Sequence, residues 1–302
     1  MTALLASLGG RLAERWLAVV VLPGVLYVCA VAAALELGHA HATDAARLRD
    51  ALDRFAVSPV AQSNGALLLT AAAVGAGALA AGGAARCLGR LFSLLWTEDW
   101  GRLGAPLARR RKRRWTAATL RYEQALREKA RILRGMRPPR PDGTAPDTAA
   151  LAAARDRIAL TEPRVATWMG DRMRSADARV RRAYDLDLAT VWPCLWLTLS
   201  EEARIPLAEA QAVFSAAARS AGWGALYLVL GLWWWPAAPA GAAVVVVGWW
   251  RGREAVEHLA RLVEHTVDLN TAALAEAVGH RLSGPFTPAD GAAVTRILRK
   301  AG

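Results

Sequence analysis

The hydrophobic pattern of the chain consists of three long apolar runs separated by charged segments. They are Trp16–Leu35, Gly65–Ala85 and Trp223–Trp250. The first two runs each approach the roughly 20 apolar residues that a helix needs to cross a membrane. The alternative for the first run is a signal peptide, because 40–42 has an Ala-His-Ala sequence. A signal peptide has an apolar region of only about 7–15 residues, so a retained membrane helix is favoured.

The third run predicts a helical hairpin. It carries no charge, and tryptophans stand at its start, middle and end, as is typical of chains that meet the membrane–water interface repeatedly. These expected interface anchors are Trp223, Trp233, Trp234, Trp235, Trp249 and Trp250. Two prolines and a glycine predict the turn at Pro236–Gly241, since proline breaks a helix and glycine tolerates a turn. The rival interpretation is one long kinked span.

The pattern therefore predicts an all-α integral membrane protein with about four transmembrane helices, two separate and two in the hairpin, and a helical cytoplasmic domain. The expected divisions are a cytoplasmic N-terminus (1–16), two transmembrane helices (17–86) with an external loop (37–64), a basic helical cytoplasmic domain (87–222), a transmembrane hairpin (223–250) and cytoplasmic C-terminal helices (251–302). In the external loop, Asp44–Phe55 has the apolar spacing of a short amphipathic helix.

Charge sets the expected orientation. The chain has 38 Lys and Arg against 26 Asp and Glu; 26 of the basic residues lie between Arg86 and Gly222, and only three lie in 37–64. Basic residues concentrate on the cytoplasmic side of membrane proteins. We therefore expect a multi-pass protein of the bacterial inner membrane with both termini in the cytoplasm. This asymmetry accounts for the basic composition, so nucleic acid is the less favoured partner.

Two features point to lipid and to helix packing. Six adjacent cations follow the second run and are expected to contact anionic lipid, each contributing about 1 kcal/mol near the surface: Arg109, Arg110, Arg111, Lys112, Arg113 and Arg114. The segment before them, Leu91–Leu107, is expected to be a helix lying on the membrane. Within the second run, Gly75, Gly77 and Gly82 are expected to let helices approach closely, either within one chain or in a homo-oligomer.

The remaining helices are read from their start and stop signals. Asp147 or Thr148 is expected to cap a helix over 149–160, after a long helix at Trp115–Gly135 and a proline-rich linker at 136–146. Ser200-Glu201-Glu202 suits a helix start, while Pro206 is expected to begin the helix that enters the hairpin. Trp192-Pro193 is expected to open another helix. After the hairpin, a helix over Arg251–Gly279 is expected to end at Gly279.

One segment resembles a known group of proteins. The matching residues are Pro163, Arg164, Tyr184, Leu186, Asp187, Trp192, Pro193, Leu195 and Trp196. They resemble a segment in a group of uncharacterised bacterial integral-membrane proteins, of actinobacterial type, in which a Trp-Pro-x-Leu-Trp sequence precedes an apolar hairpin. The resemblance covers about half the chain and implies no activity. The chain departs from the group at Asp185, where glycine is expected and a tight turn is put in doubt, and at Cys194, where a basic residue is expected.

Candidate chemistry adds little to this picture. The three cysteines are isolated, so neither a zinc site nor a disulfide framework is expected. No Walker loop, nucleophile elbow or His-Glu-x-x-His sequence occurs, so we expect no enzyme, no cofactor and no metal. The carboxylates of Asp185, Asp187, Glu201 and Glu202 are interpreted as helix caps and ion-pair partners. The function predicted is a membrane anchor or scaffold that oligomerises or docks a cytosolic protein. The alternative is a homo-oligomeric channel or pore-forming effector.

Overall fold

The computed structural model describes residues 22–136 and 146–300, and this part of the chain forms helices and no strands. The all-α prediction is confirmed for these residues. The helices are α1 (Leu22–Leu37), α2 (Ala45–Ala56), α3 (Pro59–Gln62), α4 (Asn64–Thr97), α5 (Gly101–Leu133), α6 (Thr148–Asp156), α7 (Trp168–Tyr184), α8 (Leu188–Thr198), α9 (Glu201–Leu230), α10 (Ala237–Ala277) and α11 (Pro288–Leu298). The predicted N-terminal segment 1–16, the start of the first apolar run and most of the linker at 136–146 lie outside the described residues.

The chain divides into two compact units. The first unit comprises residues up to Ser93 together with Ser215–Gly252, and the second comprises Leu94–Phe214 and Arg253–Gly302. The apolar helices α1 and α4 and the helical hairpin therefore meet in the first unit. The second unit holds α5 to α8, α11 and the charged parts of the long helices.

Two helices in the described part of the chain are long and apolar enough to cross a membrane, by length and composition: α4 and α9. Helix α1 is described from Leu22, which adjoins residues outside the described part of the chain, so its 16 described residues do not measure its full length. Helix α8 is apolar but has 11 residues, fewer than the roughly 20 of a full span. Helix α10 has 41 residues, but its uncharged part, 237–250, is only about 21 Å long at 1.5 Å per residue. Two of the roughly four predicted spans are thus supported by length and composition in the described residues, and the full number stays a prediction.

The apolar run 223–250 folds into two helices joined by a turn, but the turn lies earlier than predicted. Helix α9 ends at Leu230 and α10 begins at Ala237, so the turn is Gly231–Pro236. The indole N–H of Trp234 donates to the carbonyl oxygen of Ala42 at 2.8 Å and fixes the turn. Pro239 stands in the first turn of α10, where its missing N–H removes no helical hydrogen bond.

Helix boundaries next to charged segments also differ from the predictions. The predicted surface helix Leu91–Leu107 is divided, because α4 continues to Thr97 and α5 begins at Gly101 with a positive φ of 52°. The second arm of the hairpin and the predicted helix at Arg251–Gly279 form the single helix α10. Its predicted end is confirmed: Gly279 has φ +77°, and its N–H and that of His280 bond to carbonyl groups of the last helical turn.

The turn between α7 and α8 resolves the doubt raised by Asp185. Asp185 adopts the left-handed conformation, with φ 51° and ψ 31°, and its N–H caps α7 by bonding to the Arg181 carbonyl oxygen at 2.8 Å. Aspartate is one of the few residue types besides glycine that visit this conformation. The tight turn is therefore present without glycine. Pro193 does not open α8, as predicted, but lies inside it, because the helix begins at Leu188 after Asp187.

Other predicted helix starts have mixed outcomes. Asp44 caps α2, and Asp147 caps α6, each by accepting a backbone N–H three residues later. Ser200 likewise accepts the N–H of Ala203 where α9 begins. Pro206 is therefore inside α9 rather than at its start, and the helix does run into the hairpin as predicted.

The second unit has a core of its own. Val180, Leu186, Val191, Leu195, Val267, Leu274, Ala275 and Val294 are buried together, drawn from α7, α8, α10 and α11. Tyr184 and Phe286 pack on this cluster with their rings 6.0 Å apart and nearly perpendicular. This core holds the arginine-rich helix α7 in a fixed position.

Candidate functional site

The helices of the first unit pack at backbone contact distance through small residues. A methyl group added to Gly24 of α1 would lie 2.5 Å from the Ala78 carbonyl oxygen of α4. One added to Gly89 of α4 would lie 2.9 Å from the Cα atom of Arg219 in α9. Gly222 of α9 approaches Ala85 and Gly89 just as closely. No side chain larger than hydrogen fits at these positions, which is how helices associate in lipid.

The two arms of the hairpin are joined in the same way. A methyl group on Gly224 of α9 would lie 2.7 Å from the carbonyl oxygen of Gly241 in α10, and one on Gly241 would lie 2.6 Å from that of Gly224. One turn closer to the loop, a methyl group on Gly231 would meet the Ala238 side chain at 2.6 Å. Gly248 faces Ala221 at the far end of the arms. The arms are therefore antiparallel and in contact over their whole uncharged length.

The three glycines predicted to pack have different surroundings. A methyl group on Gly77 would lie 3.2 Å from the Val28 side chain of α1, and Gly82 is buried. Around Gly75 the described residues place no atom within 4 Å of such a methyl group. Sequence reasoning missed the closer contacts at Gly24, Gly89, Gly222, Gly224 and Gly241. Only the faces that the helices present to one another distinguish these glycines from the others.

In the described part of the first unit, charge is confined to the two ends of the packed helices. Residues 65–85 of α4 carry no charge over about 31 Å of helix, a length close to the roughly 30 Å of a bilayer core. At one end of this segment four arginines stand at the same level of the packed helices: Arg86 and Arg90 on α4, Arg219 on α9 and Arg251 on α10. The uncharged parts of α1, α9 and α10 lie beyond that level, on the same side as the uncharged part of α4.

The tryptophans mark both ends of the hairpin. At the turn, Trp233 and Trp235 are 61% and 48% exposed, while Trp234 is half-buried and bonds to the loop after α1. The His39 imidazole contacts the Trp233 carbonyl oxygen at 3.3 Å. At the arginine end, Trp249 and Trp250 are exposed and their rings meet at 5.9 Å. Trp223 lies between these levels and is half-buried against the Tyr27 ring.

The six adjacent cations lie within α5, and their side chains do not share one environment. Arg109, Arg110, Arg113 and Arg114 are exposed. The guanidinium of Arg111 turns into the second unit, where it donates to the carbonyl oxygens of Ile158, Val165 and Thr167 at 2.7–2.8 Å and pairs with Asp171. Lys112 pairs with Glu162 and thereby lowers the pKa of that carboxyl group.

A buried ion-pair network joins α7 to α10. The guanidinium of Arg172 is 1% exposed and donates to Glu257 and to Glu264 at 2.8 Å, while Arg179 also reaches Glu264 at 3.1 Å. Burial by itself lowers the pKa of Arg172, but the hydrogen bonds with Glu257 and Glu264 outweigh it and raise the pKa. The network keeps the arginine charged and fixes α7 against α10.

Of the four carboxylates interpreted as helix caps and ion-pair partners, Asp187 forms ion pairs in the structure. Asp187 pairs with Arg299 of α11 and with Arg181 of α7, and the pairing with Arg299 is the main reason that its pKa is lowered. The Thr190 hydroxyl donates to the same carboxylate at 2.8 Å. Asp187 thus fixes the start of α8 to two other helices. In the described residues, no group of three or more His, Cys, Asp or Glu could hold a metal ion.

No protein-family model, curated protein or solved structure matches the chain. The resemblance to bacterial integral-membrane proteins stays a prediction.

Proposed function

We propose that the chain is a non-enzymatic anchor of the bacterial inner membrane, whose second unit is a scaffold at the cytoplasmic face. The first unit crosses the membrane with α1 and α4 and enters it with the hairpin, and both termini are cytoplasmic. The second unit binds anionic lipid through α5 and either oligomerises or docks a cytosolic protein.

The observation that carries this proposal is the separation of charge from close packing in the first unit. Its helices meet through glycine and alanine over a charge-free length of about 31 Å along α4. Arginines gather at one end of that length, as positively charged residues do on the cytoplasmic side of a membrane. A soluble helical core gains its stability from large buried apolar side chains, whereas here many of them are exposed. The exposed side chains of this unit include Leu22, Leu26, Leu68, Leu69, Val246 and Val247.

The hairpin is shorter than a full membrane span, and contacts at each of its two ends help to hold it in the membrane. Its turn bonds to Ala42 and contacts His39, which follow the outer end of α1. Its other end is bounded by Arg219 and Arg251, whose long side chains can reach the headgroups while their stems stay in apolar surroundings. The bilayer is expected to be locally thinner beside the hairpin, since short apolar segments are accommodated in this way.

The lipid contact of the second unit comes from the exposed face of α5. The side chains of Arg109, Arg110, Arg113 and Arg114 stand free of the packed face that holds Arg111. Leu103 and Leu107 on the preceding turns are 85% and 45% exposed. A face that combines exposed leucine with arginine favours the surface of an anionic membrane.

A specific observation favours self-association. The outward face of α4 is exposed and carries small side chains at Ala72, Ala76, Ala80, Gly83 and Ala84, together with the exposed leucines Leu69 and Leu79. Such a face lets a second helix approach closely. A closed homo-oligomer through α4 supports the scaffold, whereas a ring with a continuous water path supports the alternative, a channel. The mass of the protein in detergent and conductance after reconstitution distinguish the two.

Two measurements test the proposal. After alkaline carbonate washing, the protein should stay in the membrane pellet; its release would contradict membrane insertion. Lipid that co-purifies in a mild non-ionic detergent should be enriched in anionic species. Replacing Arg109, Arg110, Arg113 and Arg114 with glutamine should reduce that enrichment, and salt should reduce it in the wild type. Unchanged lipid content would show that these cations do not contact lipid.

A further inference from the structure

A groove of about 640 Å³ runs along the outer face of α7 in the second unit. One wall is α7 itself, and the other is the segment before it. The lining residues are Thr161, Glu162, Arg164, Asp171, Arg174, Asp177, Ala178, Arg181 and Arg182. Four of the nine are arginines, and they extend over about 16 Å of α7 and the segment beside it, at 1.5 Å per helical residue.

Two of the three acidic residues of the groove pair with cations outside it, whereas Asp177 contacts only Arg181 of the groove among the described residues. Asp171 pairs with Arg111, and Glu162 pairs with Lys112. In the described ranges, the side chains of Arg164 and Arg182 have no ion-pair partner, and both are exposed. Arg164 helps to lower the pKa of Glu162, although Lys112 does so more strongly. The groove therefore presents four arginines against Asp177, the one lining carboxylate without an ion pair to a cation outside the groove in the described residues.

The other two arginines of the groove have weak or shared partners. Arg174 lies 3.6 Å from Asp99, and both side chains are about half-exposed. Arg181 lies 3.6 Å from Asp177 one turn earlier and 3.2 Å from Asp187. The exposed Arg174–Asp99 pair contributes little to stability, so a doubly charged anion can displace it at small cost. Arg181 keeps its pair with the largely buried Asp187 and would meet the anion with its other N–H groups.

The groove is held in a fixed shape. The carboxylate of Asp171 accepts the backbone N–H of Arg164 at 2.9 Å and that of Val165 at 3.1 Å. Arg111 holds the carbonyl oxygens on either side of the same segment. Helix α7 is capped by Thr167 at its start and by Asp185 at its end. A ligand would therefore meet arginines whose backbone positions are already set, which lowers the entropy lost on binding.

We propose that this groove binds a ligand with two phosphate groups, either a soluble diphosphate or the headgroup of a diphosphate-bearing or two-phosphate lipid. Arginine suits phosphate because its planar guanidinium donates two parallel hydrogen bonds. The volume matches small-molecule sites of about 300–1,000 Å³. The lining has no aromatic side chain on which a nucleotide base would stack. A compact polyanion without a base fits these features best.

The test uses the full chain in neutral detergent, with inorganic pyrophosphate titrated by calorimetry. The groove should bind pyrophosphate saturably, one per chain. Replacing Arg164 and Arg182 together with glutamine should weaken binding about tenfold or more, since two charge-assisted contacts are lost. Arg121→Gln with Arg131→Gln removes the same charge from exposed positions outside the groove and should change the affinity by less than about twofold.

A third variant keeps the test independent of any loss of structure. Asp177→Asn removes a carboxylate that competes with the ligand for Arg181, so binding should become a few-fold tighter. Three results would each overturn the proposal. The first is unchanged or weaker pyrophosphate binding by Asp177→Asn, and the second is an equal loss of affinity in the groove variant and the control variant. The third is a wild type that binds neither pyrophosphate nor lipid. Displacement of pyrophosphate by a glutamate-rich peptide at equal concentration would overturn it in favour of a protein partner.

The source of the phosphate is identified by a second titration with neutral micelles that contain cardiolipin, a lipid with two phosphates. Binding of pyrophosphate alone identifies a soluble ligand, and tighter binding of cardiolipin that depends on Arg164 and Arg182 identifies a lipid. Either result supports the groove. The pyrophosphate titration needs no membrane, so it can reject the phosphate site without affecting the proposed membrane anchor. In the same way, release of the protein by carbonate would reject the anchor without affecting the phosphate site.

Discussion

Gly224 and Gly241 face each other across the hairpin so closely that neither position has room for a methyl group, which would lie 2.6–2.7 Å from the opposite carbonyl oxygen. Real side chains do not approach a backbone oxygen so closely, so any larger residue must push the arms apart. This pair therefore sets the distance between the helices α9 and α10.

Replacing Gly241 with leucine should separate the arms and lower the stability of the first unit. Overpacking of this kind costs about 1–3 kcal/mol, and the midpoint of thermal unfolding in detergent should fall. Gly75→Leu is the matched control, because that position has free space beside it, and its midpoint should change little. An equal fall of the unfolding midpoint for both substitutions would show that the close contact of Gly241 with Gly224 does not contribute to the stability of the first unit.

Within the six adjacent cations, Arg111 should differ from Arg110. Arg111→Gln leaves three carbonyl oxygens and the Asp171 carboxylate without their donor. Unpaired buried polar groups cost about 1–3 kcal/mol each, so the unfolding midpoint should fall clearly. Arg110→Gln should leave the midpoint unchanged and reduce only the co-purified anionic lipid. The measurement is differential scanning calorimetry of both variants, and a similar midpoint for both would contradict the structural role of Arg111.

The network around Arg172 should be sensitive to the loss of one charge. Arg172→Gln leaves Glu257 and Glu264 without their shared buried cation, while the more exposed Arg261 and Arg179 remain beside them. Removing one partner of a buried ion pair costs about 3–5 kcal/mol, and the lower end applies here because Glu257 is 32% exposed. Adding Glu257→Gln and Glu264→Gln should recover part of the loss. Arg174→Gln, which removes an exposed pair, should cost less than about 1 kcal/mol. A triple variant no more stable than Arg172→Gln would contradict this account.

Acid should weaken the attachment of α11. The pKa of Asp290 is lowered to about 2, first by the Thr287 side-chain hydrogen bond and then by the one with His280. A lowered folded-state pKa contributes stability that is present above the unfolded value near 4 and is lost as the pH falls toward 2. The stability difference between the wild type and Asp290→Asn should therefore shrink over this interval. Unfolding midpoints measured from about pH 5 to pH 2 test this, and a constant difference would exclude the Asp290 contribution.

Local signals in the sequence predicted those features that short segments determine. Asp147 caps α6, a helix starts at Asp44, and Gly279 ends α10, because each feature needs only hydrogen bonds within a few residues. The helical character of the apolar runs followed from composition in the same way. Asp185 shows the limit of this approach, since its left-handed turn needs a residue that tolerates φ > 0 but does not require glycine.

Features that depend on distant contacts were not predictable from one sequence. Pro193 lies inside α8 because that helix starts at Leu188, where Asp187 is held by Arg299, more than a hundred residues away. The turn of the hairpin is fixed by Trp234 bonding to Ala42. The packing glycines could not be told apart, because the alanine-rich composition gives every face of α4 small residues. The groove on α7 was also not predictable, because it depends on which charges the fold pairs. Asp171 pairs with Arg111 and Glu162 pairs with Lys112, while Arg164 and Arg182 have no ion pair in the described residues.

The central claim is that the hairpin enters the membrane and returns to the side it came from. Cysteine labelling of intact cells tests it most directly, with Cys29, Cys87 and Cys194 first replaced by serine. A membrane-impermeant maleimide should modify Ser58→Cys in the external loop. It should spare Gln124→Cys on α5 and Ser283→Cys after α10 until the cells are permeabilised. Labelling of Ser283→Cys in intact cells, with Gln124→Cys protected, would mean that the segment 223–250 crosses the membrane only once and would contradict the account.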